Sequence, residues 1–177
     1  MFIVFAIPIG LVAGWLLGGR LDELAETRLR LVPLAIAALL VQFVLFSPVG
    51  GSIPDGLSRV AYVASTALVV AVVLANIRLP GLPLVAVGAA ANLIAIIANG
   101  GAMPADPAAL AAAGIELDGP SNSVVVAEPA VRPLTDIFAL PRGLPLANVF
   151  SVGDVLIALG IAIAIAALMR RRVQPAI

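Results

Sequence analysis

Apolar residues run along this chain in long blocks, separated by short charged or Pro/Gly-rich breaks. A hydrocarbon core about 30 Å thick takes roughly 20 helical residues to cross. Residues 1–19 carry no charged side chain, and residues 31–47 lie in an uncharged stretch that reaches Pro54. Residues 60–77 fall between Arg59 and Arg78, and residues 81–98 are uncharged but contain Asn92. Residues 151–169 hold a single charged residue, Asp154, near their start. None of the blocks alternates as a barrel strand does, and in lipid only helices and closed barrels satisfy the backbone. The pattern predicts an all-α integral membrane protein with a single membrane domain over residues 1–177. It is a bundle of about five transmembrane helices with one long extracytoplasmic loop at 99–150. The first block lacks a basic leader and is followed at once by Arg20, Asp22 and Glu23, so it reads as a retained helix.

Composition narrows the chemistry. The chain is 62% apolar and 11% charged, with mean hydropathy +1.17. Soluble domains are about 45–50% apolar and about 25% charged, so a water-soluble globule and a disordered chain are both excluded. Ten basic residues, all Arg, balance ten acidic ones, which removes the basic footprint of a nucleic-acid binder. There is no Cys and no His. Disulfides, thiolate chemistry, haem ligation through His or Cys and the commonest metal ligand go with them. No cofactor and no metal site is expected.

The Arg residues are unevenly placed. Arg20, Arg28, Arg30, Arg78 and Arg170–Arg172 fall on one side of the five blocks, and Arg59, Arg132 and Arg142 on the other. The positive-inside rule then predicts a multi-pass protein of the plasma membrane with its N-terminus outside and its C-terminus cytoplasmic. The 99–150 loop carries Asp106, Glu116, Asp118, Glu128 and Asp136. Asp106-Pro107 followed by Gly114 reads as a short capped helix, and Ser123–Val126 as a short strand. A loop of this length is expected to pack as an ordered cap. Membrane lipids are the expected partners, and a membrane-protein partner stays open.

Asp154 is the first candidate for chemistry, because a carboxylate at the hydrocarbon edge is costly. Asn148, Ser151 and Asp154 recur every three residues and share one face if the helix starts early. The competing reading is that Ser151 or Asp154 simply caps the helix. Asp136 is the second candidate, 18 residues upstream across a Pro-broken return. Two carboxyl groups brought together share a proton and split their pKa values, giving one base and one acid. An ion pair of Asp136 with Arg132 or Arg142 is the alternative. Asn99-Gly100-Gly101 ends the fourth block and is either a ligand-facing turn or a plain helix stop. Asn92 and Gln42 need partners within the bundle whatever the function.

The words NGGAMP, LTDIF and NVFSVGDVLIALG resemble a family of bacterial multi-pass membrane proteins of unknown function, over nearly the whole chain. That resemblance implies the topology and no activity. The end of the chain is also similar to lipoprotein signal peptidases, membrane aspartyl proteases with a carboxylate pair at the outer face. Phe150 and Asp154 stand in register with the opening of that family's last helix, with Ser151 where it has Asn. Asp136 stands near its other Asp, and Asn99–Met103 resembles its Asn-Gly loop. Asp136 is followed by Ile137 where that family has Arg, and the family has four helices. The resemblance implies Asp136 and Asp154 as the catalytic pair. Asn99, Gly100, Gly101, Asn148 and Ser151 would be ligand-orienting residues. The expectation is an integral membrane protein of unassigned activity with a polar Asn/Asp site at the outer membrane face. The alternatives are an aspartyl hydrolase acting on a lipid-linked or peptide substrate, and an accessory subunit or small polar-lipid carrier. Whether the chain is an enzyme stays open.

Overall fold

A computed structural model describes residues 2–117, 119 and 121–170. Arg171, Arg172 and Asp118, which entered the charge reading, lie outside the described residues. Helices dominate. A 3₁₀ turn at Phe2–Phe5 leads into α1 (Ala6–Leu16), followed by the short α2 (Leu21–Ala25), α3 (Val32–Leu45), α4 (Asp55–Ala75) and α5 (Leu82–Ala98). The segment after α5 holds β1 (Met103–Pro104), α6 (Pro107–Ala113), β2 (Ser123–Val124), β3 (Phe138–Leu140) and β4 (Asn148–Phe150). The long α7 (Val152–Leu168) follows.

The helix ends differ from the apolar blocks for local reasons. α3 stops at Leu45, where the Ser47 hydroxyl donates to the Val44 carbonyl at 2.8 Å and Pro48 opens a 3₁₀ turn. α4 begins at Asp55, five residues before the uncharged block, because Pro54 fixes the entry and Asp55 suits the positive end of the helix dipole. At 21 residues, α4 is the one helix among the described residues long and apolar enough to cross a membrane. Phe2–Leu16, Val32–Leu45, Leu82–Ala98 and Val152–Leu168 are apolar helices of 10–17 residues.

The helices pack as a row. α4 lies between α3 and α5, α5 packs on α7, and α1 covers the far side of α7. Glycine sets the two closest contacts. A Cβ on Gly88 would strike the Gly153 carbonyl, and one on Gly81 would strike the Gly160 carbonyl, so α5 and α7 meet backbone to backbone. Along α1, a Cβ on Gly10 would sit 2.9 Å from the Ala162 carbonyl, and Gly14 faces Ala166 and Met169. The Gly10-x-x-x-Gly14 spacing is the small-residue signature of close helix pairs.

Residues 99–150 fold into a cap. Asp106 accepts from the backbone N–H of Ala108 at 2.9 Å and of Ala109 at 3.4 Å, Pro107 opens α6, and Gly114 closes it with φ +66. β1 pairs in parallel with β2 through Met103↔Ser123 and Pro104↔Val124, and a parallel Ala105↔Asp136 bridge lies along the other edge of β1. β3 and β4 pair antiparallel, with Phe138 opposite Phe150. Ala105, Ala109, Leu110, Ala113 and Val149 form the cap's own buried core. Phe2 stacks on Phe150 with ring centres 4.3 Å apart, which ties the start of α1 to the cap. At the opposite end of the same helix pair, the Arg20 N–H donates to the Met169 carbonyl at 2.7 Å. The N-terminal end of α1 and the cap therefore share one face of the bundle.

Candidate functional site

The site is built where β4 turns into α7. Asn148-Val149-Phe150 runs extended, and Ser151 keeps extended backbone angles (φ −102, ψ 171) before the helix begins at Val152. Ser-Val-Gly-Asp then closes a capping box. The Ser151 Oγ accepts from the Asp154 N–H at 3.0 Å, and the Asp154 Oδ2 accepts from the Ser151 N–H at 3.0 Å. The Gly88–Gly153 approach brings Asn92 of α5 onto this turn. Its Nδ2 donates to Asp154 Oδ1 at 2.8 Å, and the Ser151 hydroxyl donates to its Oδ1 at 2.8 Å. Ser151 is fully buried. One closed ring of hydrogen bonds thus caps α7 and joins it to α5.

This arrangement corrects one expectation. Asn148, Ser151 and Asp154 do not share a helix face, because the chain is a strand through Phe150 and Ser151 is the cap. Their three-residue spacing is that of a capping box preceded by a strand.

Asp136 is held by its backbone. Its N–H donates to the Pro104 carbonyl at 2.9 Å, and its carbonyl accepts from the Asp106 N–H at 3.0 Å. Its side chain is buried and accepts from the Ser123 hydroxyl at 3.5 Å, a long bond. Burial pushes the Asp136 carboxyl up to about 7, and the nearby Asp154 carboxylate raises it further. The Ser123 bond and the positive charge of the amino terminus oppose this by less. Among the described residues no arginine pairs with it. Arg132 pairs instead with Asp106 at 3.0 Å, where the guanidinium and the Ala108 N–H hold the Asp106 carboxyl below its usual value. The stem of Arg142 lies against Gly114.

Asp136 and Asp154 line one partly open cavity of about 440 Å³ between α3, α4, α5, α7, the Phe2–Phe5 turn and the cap. Asn92, Asn148, Gln42 and Tyr62 supply further polar wall, and Leu39, Val69, Ile96 and Ile157 the apolar wall. Among the described residues no hydrogen bond joins the two carboxyl groups directly. Ser151 does not line the cavity but positions Asn92 and Asp154, which do.

Asn99, Gly100 and Gly101 lie outside this cavity. The Asn99 amide donates to the carbonyls of Ala95 at 2.8 Å and Ala130 at 3.0 Å, and its oxygen accepts from the Ala130 N–H at 2.9 Å. It therefore stitches the cap to the end of α5. Gly100 (φ +71) and Gly101 (φ +88) make the turn, with the Gly100 carbonyl accepting from Arg59 at 3.1 Å. Gly101 borders a second cavity of about 410 Å³ beside Arg59, and Tyr62 and Asn122 line both spaces.

Sequence reasoning singled out Asn92 and Gln42 only as polar residues needing partners. Gln42 finds them in Ser65 and Thr66, each at 3.3 Å. Ser123 and Asn122 were not singled out, since a serine and an asparagine in a polar loop carry no periodic signal. Among the described residues no group of three or more His, Cys, Asp or Glu is placed to hold a metal ion.

No curated protein and no solved structure matches this chain. The model of a family of unknown function, DUF5317, matches residues 26–166, most of the chain from just before α3 into the last turns of α7, and the chain belongs to that family.

Proposed function

We propose that this chain is a multi-pass plasma-membrane protein that binds a polar group in the Asp136/Asp154 cavity, under a cap on the outer membrane face. The observation that carries the reading is that two carboxyl groups from separate elements, the cap and α7, line one cavity of about 440 Å³. That volume lies in the small-molecule range. The membrane setting is supported by apolar side chains facing outward where water would disfavour them: Phe43 is 73% exposed, and Trp15 and Leu16 are 71% exposed. The orientation is supported by the Arg asymmetry, with the N-terminus and the cap outside and the C-terminus cytoplasmic. Membrane lipids are the natural source of a ligand.

The chain has no native cysteine, so single-cysteine labelling tests this directly. In intact cells, Asn122→Cys reacts with a membrane-impermeant maleimide, whereas Arg78→Cys reacts only after permeabilisation. The reverse pattern overturns the orientation. Asn122→Cys unreactive from both sides overturns an accessible site.

A second reading is the aspartyl hydrolase. Its support is the electrostatic coupling of the two carboxyls, with Asp136 pushed up to about 7. One carboxyl would then activate water and the other protonate a leaving group. Hydrolysis of a lipid-linked or peptide substrate that survives Asp136→Asn would remove this reading and leave the binding site standing.

A further inference from the structure

We infer that the Asp136/Asp154 cavity selects an amphiphile with a cationic ammonium head and an apolar tail. This rests on the binding reading above and names the ligand class. The first argument is charge. Among the described residues, two carboxyl groups line the cavity and no arginine does. Two Arg residues on the cap face are engaged elsewhere, Arg59 with the Gly100 carbonyl and Arg132 with Asp106, and the stem of Arg142 lies against Gly114. An anionic head would meet two acids with no arginine beside them, and the amino terminus offsets their field at Asp136 only in part, so like-charge repulsion costs affinity.

The second argument is hydrogen-bond supply. An ammonium brings three donors and no acceptor. Asp136 has one protein donor, the long Ser123 bond at 3.5 Å, so its carboxyl retains acceptor capacity toward the cavity. Asp154 already accepts from Asn92 and from the Ser151 N–H, one bond on each oxygen, so it has less acceptor capacity left than Asp136 and is held in place by the cap. Asp136 is thus the contacting group, with Asp154 as the fixed second charge. The third argument is shape. Leu39, Val69, Ile96 and Ile157 line the same space, from helices that lead away from the cap. A head at Asp136 leaves its tail on that apolar wall.

The test uses the full chain in a neutral maltoside detergent, with n-octylammonium, octanoate and octanol as probes of matched length. Binding is read as the rise in unfolding temperature with probe concentration. Octylammonium should bind at least tenfold more tightly than octanoate, and more tightly than octanol. Asp136→Asn should remove the preference over octanol. Asn148→Lys, which places a cation in the same wall without touching either acid, should weaken octylammonium at least tenfold, so the test survives a misfolded Asp136 variant. Octanoate or octanol binding as well as octylammonium would overturn the inference and leave an occupied cavity. Failure of all three probes would overturn it as well. The underlying binding reading fails separately, through the Asn122→Cys labelling.

Discussion

Asp136→Asn tests the electrostatics of the site through stability. Burial and the facing Asp154 raise the Asp136 carboxyl from 3.8 to about 7, against weaker opposition from Ser123 and the amino terminus. In the unfolded chain the group returns to an ordinary value near 4. Between about pH 4 and pH 7 the folded protein therefore holds a proton that the unfolded chain has released. Stability falls as pH rises through that window and levels off above the folded value. A rise from 3.8 to about 7 corresponds to roughly 4 kcal/mol lost by pH 8, as an order of magnitude. Asparagine keeps an oxygen for the Ser123 hydroxyl and carries no charge, so the variant should lack this descent. It should be close to the parent near pH 4.5 and more stable than the parent at pH 8. Thermal unfolding followed by circular dichroism in neutral detergent, from pH 4.5 to 8, gives both profiles. Asp154→Asn in the same series should move the parent's descent to lower pH, because it removes the repelling neighbour. Parallel profiles for parent and Asp136→Asn would refute the reasoning, since they would mean that the carboxyl is solvated in the folded state.

Ser151→Ala removes the cap of α7 and leaves the Asn92 oxygen without its donor. The two losses together are about 2–4 kcal/mol, and a loss under about 0.5 kcal/mol in detergent unfolding would show that the ring does not couple α5 to α7. Gly88→Ala drives a methyl into the Gly153 carbonyl and should cost about 1–3 kcal/mol or more, whereas Gly56→Ala in α4, where a Cβ meets nothing within 4 Å, should stabilise by up to about 1 kcal/mol. Equal effects at the two glycines, measured in the same assay, would remove the backbone-contact account of the α5–α7 pair.

The helices were legible because their signal is local. Charge-free runs, Pro54 and the Asp106-Pro107…Gly114 pattern each act within a turn or two, whereas β1, β3 and β4 carry too few residues to announce themselves locally. Which helix meets which was less legible, although the Gly10-x-x-x-Gly14 spacing on α1 and the paired glycines of α5 and α7 carry it. The site itself depends on contacts far apart in sequence. Asn92 and Asp154 are 62 positions apart, and nothing local says that the amide in one apolar block answers the carboxylate of another. The Ser-x-x-Asp spacing was ambiguous for a physical reason: positions three apart on a helix share a face, and three apart is also the reach of a capping box. The residues before it decide between the two. Val149 and Phe150 are strand formers, and they pair with Ala139 and Phe138. An extended Ser151 must then cap rather than continue a helix. The capping role of Asp154 does not exclude a role in the cavity. The cap fixes its carboxylate in place beside the buried Asp136, and on the proposal above that fixed charge is what would discriminate between ligands by charge.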